Sequence, residues 1–146
     1  MASSLKKEDV LGEETPFAIT PIVGYRVWNV YGQYRSPRLE SITLFTLWPF
    51  WKPLQAYCYD HWLHSPPDSR HKCGIYALKS EEDARRWLDR PGRVLGLVAL
   101  WGRVLLYERG YIAQYAYPLA LTRCGSGITD DIAKKLARNY GLDLLL

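Results

Sequence analysis

The sequence predicts an α+β fold, namely a mainly antiparallel curved sheet or small β-barrel with two short helices. Apolar runs and period-two alternation, both typical of strands, fill most of the chain, whereas helical periodicity is confined to two short segments. The strand-like and helix-like segments are segregated rather than alternating, which disfavours a doubly wound nucleotide-binding fold. Six Trp and eleven Tyr favour strands further, because aromatic side chains suit pleated, half-buried surfaces.

The predicted strands occupy residues 19–32, 38–48, 54–60, 72–78, 94–102, 103–119 and the terminal 142–146. The run 94–102 is almost wholly apolar, so we expect a central strand that is buried on both faces. Gly102 predicts a tight hairpin into the run 103–119, and Gly110 predicts a bulge or a close backbone approach within that run. Both glycines therefore mark places where the sheet is expected to bend.

Two helices are predicted from their capping residues. Ser80 is the expected N-cap of the first, with acidic residues in its first turn, and Pro91-Gly92 ends it. Thr129 is the expected N-cap of the second, and Gly141 ends it.

The length of 146 residues suits one domain, which we assign to residues 17–146 after a flexible charged tail, residues 1–16. The chain has neither an apolar run of about 18 residues nor an N-terminal segment of signal-peptide character, so we expect a cytoplasmic protein without a membrane partner. Asn and Gln total only five, and a low content of thermolabile amides is typical of thermophilic sources.

Cysteine and histidine are concentrated in one segment, which contains Cys58, His61, His64, His71 and Cys73. Thiolate and imidazole are the preferred ligands of tetrahedral zinc, and His71 and Cys73 are two residues apart, so an extended backbone directs both to one face. The segment therefore predicts a metal site, with zinc as the cofactor. His61 competes with His64 and His71 as a ligand, and a site with three protein ligands would leave a position open for water.

Two other interpretations of the same segment remain open. Cys73 is a candidate nucleophile with His71 or His64 as its base, which would make the protein a small hydrolase. The third interpretation is structural, with surface-loop histidines and a buried cysteine that packs as a small hydrophobe.

A second candidate site lies in the run 103–117, where tyrosine and arginine recur at alternate positions. Its residues are Arg103, Tyr107, Arg109, Tyr111 and Tyr115. On one strand face they would stack bases and pair with phosphates, which predicts nucleic-acid binding, whereas the structural alternative is a packed tyrosine face. The formal charge of +4 permits an anionic partner without requiring one, so protein and nucleic acid both remain candidate partners.

The segments HKCGIYA (71–77) and VALWGRVLLYERGYIAQYAYP (98–118) resemble a family of small, mostly uncharacterised prokaryotic domains. Its pattern is similar to Cys-x-Cys-Gly-Ile-Tyr-Ala, a short helix, Ala-Leu-Trp-Gly-x-Val and Glu-x-Gly-Tyr-x-Ala-x-Tyr-Ala-Tyr-Pro. GYRVWNV (24–30) matches in character, so the resemblance covers roughly residues 24–121.

The family pattern has cysteine at the position of His71, and a Cys-to-His exchange retains a zinc donor. The resemblance therefore implies Cys58, His64, His71 and Cys73 as the preferred ligands. It carries no known function. We accordingly expect a small non-catalytic binding or adaptor module that is stabilised by a structural zinc-type site.

Overall fold

The computed structural model describes residues 10–58, 66–68 and 73–146, and residues 10–19 by their backbone alone. Within these ranges the strands are β1 (Val10–Tyr31), β2 (Arg38–Glu40), β3 (Leu54–Gln55), β4 (Ile75–Leu78), β5 (Arg93–Tyr107), β6 (Gly110–Cys124) and β7 (Asp143–Leu144). The helices are α1 (Glu81–Arg85), which continues as a 3₁₀ turn (Arg86–Leu88), and α2 (Asp130–Tyr140). The predicted α+β class with a curved, mainly antiparallel sheet and two short helices is confirmed.

Four strands pair in a ring. β1 pairs with β5, β5 with β6, and β6 with β4, and β4 returns to β1 where Tyr25 lies opposite Leu78. β5 has a long partner on each side, which explains why its sequence is apolar on both faces. β2 and β3 extend the sheet along β1 and β6, and β7 adds a short parallel pair to β6. β1 begins at Val10, inside the range 1–16 that was assigned to a tail.

The predicted hairpin at Gly102 is wrong. β5 continues to Tyr107, and the chain turns at Glu108 and Arg109 before β6 begins. Gly102 instead lies at an irregularity within β5, where the pairing with β6 shifts register between Trp101 and Val104. The bulge that was predicted at Gly110 is therefore at Gly102, and Gly110 is the first residue of β6, opposite Leu78.

The strand predicted over 38–48 is also much shorter than expected. β2 ends at Glu40, and a tight turn follows in which the Ser41 N–H donates to the Thr46 carbonyl at 2.8 Å. Leu44 and Phe45 at its tip have φ of 67° and 51°, in the left-handed region that strands do not use. The apolar residues that follow Glu40 in this segment thus belong to a folded turn.

The capping residues correctly predicted both helices. Ser80 Oγ accepts from the Asp83 N–H at 3.1 Å, and Thr129 Oγ1 accepts from the Ile132 N–H at 3.3 Å. Gly141 ends α2 with φ of 73°, and its N–H donates to the Ala137 carbonyl. α2 packs its apolar side on the main core, where Tyr140 is fully buried.

The main core is built around Trp28 and Trp48, whose rings meet edge to face with centroids 5.4 Å apart. A second cluster of buried side chains includes Tyr76 and Tyr107. Among the described residues, no helix is long and apolar enough to cross a membrane.

Candidate metal centre

Strands β3 and β4 lie one after the other along the same edge of β6. Gln55 is opposite Tyr115, and Ile75 is opposite Ala113. Between them, the Ala56 N–H donates to the Gln114 carbonyl at 2.8 Å and so continues the pairing of β3. The chain therefore leaves β6 shortly after residue 56 and returns to it at residue 75, so the two ends of the intervening segment are close together.

Cys58 and Cys73 occupy these two ends, and their side chains are hydrogen bonded to each other. Cys58 is 4% exposed and Cys73 is partly exposed, and neither forms a disulfide. The two predicted sulfur ligands are thus in contact although fourteen residues separate them in the chain. Sheet pairing on both sides of the segment is what places them there.

Gly74 brings Cys73 close to the sheet. A Cβ at Gly74 would collide with the Ile112 side chain, and it would lie 3.1 Å from Pro67 Cβ and 3.2 Å from the Ala113 carbonyl oxygen. Its φ of 133° is in the region that glycine alone adopts without strain. The residue after Cys73 is therefore fixed as glycine by both space and backbone conformation.

The surroundings of Cys73 favour its neutral thiol. Burial, followed by the hydrogen bond and charge interaction with Cys58, raises the pKa of Cys73 to about 11. The Asp68 backbone opposes this by donating a hydrogen bond, and burial also raises the pKa of the neighbouring Tyr76. A raised thiol pKa is the reverse of what a cysteine nucleophile requires, since the thiolate is the reactive form.

The imidazole half of the predicted ligand set, His64 and His71, lies outside the described residues, as does the alternative ligand His61. Within the described ranges, no group of three or more His, Cys, Asp or Glu side chains is placed to hold a metal ion. Cys124, the remaining cysteine, is at the end of β6 and pairs with Val94, apart from the thiol pair. The predicted ligand set therefore stays a prediction. Its two cysteines, Cys58 and Cys73, are in contact, and its two histidines, His64 and His71, are not described.

The tyrosine–arginine residues do not form one strand face. The turn at Arg109 separates Arg103 and Tyr107 on β5 from Tyr111 and Tyr115 on β6. Tyr107 is 1% exposed and packs in the second core cluster, so its ring is closed to a ligand. Tyr115 is half-buried and stacks with Trp101 at a centroid distance of 6.1 Å. The Lys79 ammonium lies 5.6 Å from the Tyr111 ring centroid, so that ring contacts a cation of the protein itself.

Sequence reasoning missed a different group of residues. Among the described residues, Leu44, Phe45 and Trp51 are the non-glycine residues with positive φ. All three are large and apolar, and they are 63%, 68% and 69% exposed, respectively. A left-handed backbone and an exposed apolar side chain each cost free energy, and such strain is concentrated at functional sites. Leu44 and Phe45 lie in the segment 38–48 that was predicted as a strand, and Trp51 lies three residues beyond it, so the strand prediction hid the signal.

The comparisons with known proteins identify no relative. No family model, no curated protein and no solved structure matches the chain. The resemblance to the small prokaryotic domains therefore stays a prediction, and functional inference depends on the geometry alone.

Proposed function

We propose that the protein is a small non-catalytic binding module in which a structural zinc-type site holds the segment from Cys58 to Cys73. The observation that carries the proposal is the contact between the Cys58 and Cys73 thiols. All three histidines of the chain lie between these two cysteines, so two imidazoles can complete a tetrahedral set without any distant residue. Cys58, His64, His71 and Cys73 are the proposed ligands.

The proposed role of the metal is architectural. The segment joins β3 to β4 along one edge of β6, and a metal between its ends would fix both strands to the sheet. The free energy of metal binding would then contribute to folding, because the unfolded chain has no preformed site. Four protein ligands would fill the tetrahedron, which leaves no position for an activated water, and this favours a binding module over a metal-dependent hydrolase.

Metal analysis of the purified full-length protein tests this proposal. We expect about one equivalent of zinc per chain and a lower melting temperature after chelation. Cys58→Ser and Cys73→Ser should each abolish stoichiometric binding, whereas Cys124→Ser is the matched control and should retain it. Less than about 0.2 equivalents of metal in the native protein, with a melting temperature that chelator does not change, would overturn the proposal.

The histidine ligands are tested with three further variants. His64→Ala and His71→Ala should each weaken zinc binding, and His61→Ala should leave it intact. Loss of zinc in His61→Ala, with retention in one of the other two, would assign the ligand to His61 instead. Substitution with cobalt adds a spectroscopic test, because thiolate-to-cobalt charge-transfer absorption should disappear in the two cysteine variants and persist in Cys124→Ser.

A further inference from the structure

Exposed aromatic side chains are concentrated in one part of the described chain. They are Tyr31, Tyr34, Phe45, Trp51 and Tyr57, and all of them lie between residues 31 and 57. The same stretch contains three cations and one carboxylate, Glu40, whose side chain accepts a hydrogen bond from Asn29. Aromatic rings beside an excess of positive charge differ from an ordinary solvated face.

Three of the segments that carry these side chains meet at the last turn of α2. The Asn139 side chain donates to the Pro37 carbonyl at 3.1 Å, which fixes the turn that contains Tyr34. The Tyr140 hydroxyl joins the two ends of the Leu44–Phe45 turn, because it accepts from the Leu39 N–H at 3.0 Å and donates to the Trp48 carbonyl at 2.8 Å. Gly141 contacts the Trp51 ring. Tyr34, Leu44, Phe45 and Trp51, with Arg35 and Lys52, are called the α2-end surface below.

Trp51 lies against the end of α2. Three atoms of the six-membered half of its indole lie between 2.6 and 3.5 Å from the position that a Cβ of Gly141 would occupy, so this end of the ring lies against the end of α2. The backbone N–H of Trp51 donates to the Tyr117 hydroxyl at 3.0 Å, and that hydroxyl donates to the Tyr140 carbonyl at 2.8 Å. Trp51 is nevertheless 69% exposed, so most of this residue is open to solvent.

The Leu44–Phe45 turn is fixed at its base. The Trp48 indole N–H donates to Ser41 Oγ at 3.0 Å, and the buried Arg26 guanidinium donates to the same oxygen at 3.1 Å. The two exposed side chains at the tip therefore extend from a turn whose ends cannot move independently. A surface that is ordered before it binds loses less conformational entropy on association.

We propose that the α2-end surface binds single-stranded nucleic acid, with bases stacked on its rings and phosphates near Arg35 and Lys52. Exposed aromatic side chains on ordered segments offer surfaces on which bases can stack, and every base has a flat face. Arg35 and Lys52 are both exposed, and Arg138 in the last turn of α2 adds a third exposed cation. The surface thus complements a polyanion that carries rings.

The inference specifies the partner of the binding module proposed above, and it rests on that proposal only in treating the protein as a binding module. It also moves the nucleic-acid interface away from the tyrosine–arginine residues of β5 and β6. The two locations predict a loss of oligonucleotide affinity in different variants, so one series of titrations distinguishes between them.

The test is fluorescence anisotropy of labelled oligo(dT) and oligo(U) titrated with the full-length protein at low salt. We expect binding that weakens steeply as salt is raised, since phosphate contacts release counterions. Trp51→Ala and Phe45→Ala should each reduce affinity by about tenfold, whereas Trp51→Phe, which keeps a ring, should retain most of it. Lys52→Ala should lower the salt slope by about one, and Arg85→Ala, which removes an exposed cation of α1, should leave the slope unchanged.

Several outcomes would overturn the inference. The first is undetectable binding of either oligonucleotide at low salt. The second is an equal loss of affinity in Lys52→Ala and Arg85→Ala. The third is a loss of affinity in Tyr115→Ala and Arg109→Ala with none in Trp51→Ala. Binding to phosphatidylserine vesicles that depends on Trp51, without oligonucleotide binding, would assign the surface to a membrane instead. Thermal unfolding of each variant shows whether it is folded.

Zinc content is measured on the same preparations to keep the two proposals separate. Oligonucleotide binding by a protein without zinc would refute only the metal site. A zinc-loaded protein that binds no oligonucleotide would refute only the assigned partner.

Discussion

Arg26 and Ser41 are joined by a buried hydrogen bond of 3.1 Å from guanidinium Nη2 to Ser41 Oγ. Nη1 of the same guanidinium donates to the Tyr76 carbonyl at 2.6 Å, and the group lies 5.0 Å from the Trp48 ring centroid. No carboxylate of the described residues pairs with it, and burial lowers the pKa of Arg26 to about 10. One cation therefore connects β1 and β4 with the turn that carries Leu44 and Phe45.

Removing this cation should destabilise the fold. Arg26→Ala is expected to lower the free energy of unfolding by about 2–4 kcal/mol, because two buried acceptors lose their donor and a cavity forms beside Trp48. Urea denaturation measures the change. Arg85→Ala, at an exposed position of α1, is the control and should stay within about 0.5 kcal/mol of the native protein. Equal losses in the two variants would show that the Arg26 network contributes nothing specific.

Gly141→Ala tests how tightly Trp51 is seated. Alanine in the left-handed conformation at φ 73° should cost about 1–2 kcal/mol, and contact between its Cβ and the Trp51 ring should add to that loss. In a Trp51→Ala background the ring contact is absent, so the same substitution should cost only the backbone part. Urea denaturation of the four proteins of this cycle measures the coupling energy, and a coupling energy of zero would contradict the close packing of the ring on Gly141.

The features that could be predicted from sequence are those set by neighbouring residues. Ser80 and Thr129 cap the first turns of their helices, and Gly141 ends α2 because it has no side chain. Each acts within one helical turn, so the sequence alone predicted these helix ends correctly. The apolar run of β5 was equally informative, because only a strand with partners on both sides buries both faces.

Features that depend on contacts between residues far apart in the sequence could not be predicted from neighbouring residues. A glycine such as Gly102 suits a hairpin and a bulge alike, and pairing with β6 selected the bulge. The segment 38–48 was predicted as a strand, but Ser41 and Trp48, joined to Arg26, fold it into a turn. The spacing of cysteines and histidines predicted a cluster, and the contact of Cys58 with Cys73 follows from strand pairing that the spacing does not encode.

Alkaline pH should destabilise the protein. Burial raises the pKa of Tyr76, Tyr111 and Tyr140 above the ordinary tyrosine value of 10.0, so the unfolded chain releases these protons first. The stability that they contribute is complete below that value and is lost as the pH rises from it through their raised pKa values. Arg26 acts in the opposite direction above pH 10, but burial also raises the pKa values of Tyr107, Cys73 and Cys124, so six groups oppose this one.

Urea denaturation at fixed ionic strength tests this dependence. The free energy of unfolding should fall by at least about 1 kcal/mol between about pH 9 and pH 11. A free energy that stays constant or rises over this interval would show that the tyrosines ionise as readily in the folded protein as in the unfolded chain. The tyrosinate absorbance of the native protein, followed over the same range, should appear at a higher pH than that of the protein in denaturant.

Tyr107 has a buried hydroxyl that finds no hydrogen-bond partner among the described residues. An unsatisfied buried hydroxyl costs free energy, so Tyr107→Phe should leave stability at neutral pH unchanged or raise it by up to about 1 kcal/mol. Tyr140→Phe is the matched control, because it removes a hydroxyl that bonds Leu39 and Trp48 and should cost about 1–3 kcal/mol. Urea denaturation at neutral pH compares the two variants. A loss in Tyr107→Phe as large as that in Tyr140→Phe would show that the Tyr107 hydroxyl is bonded by a residue outside the described ranges.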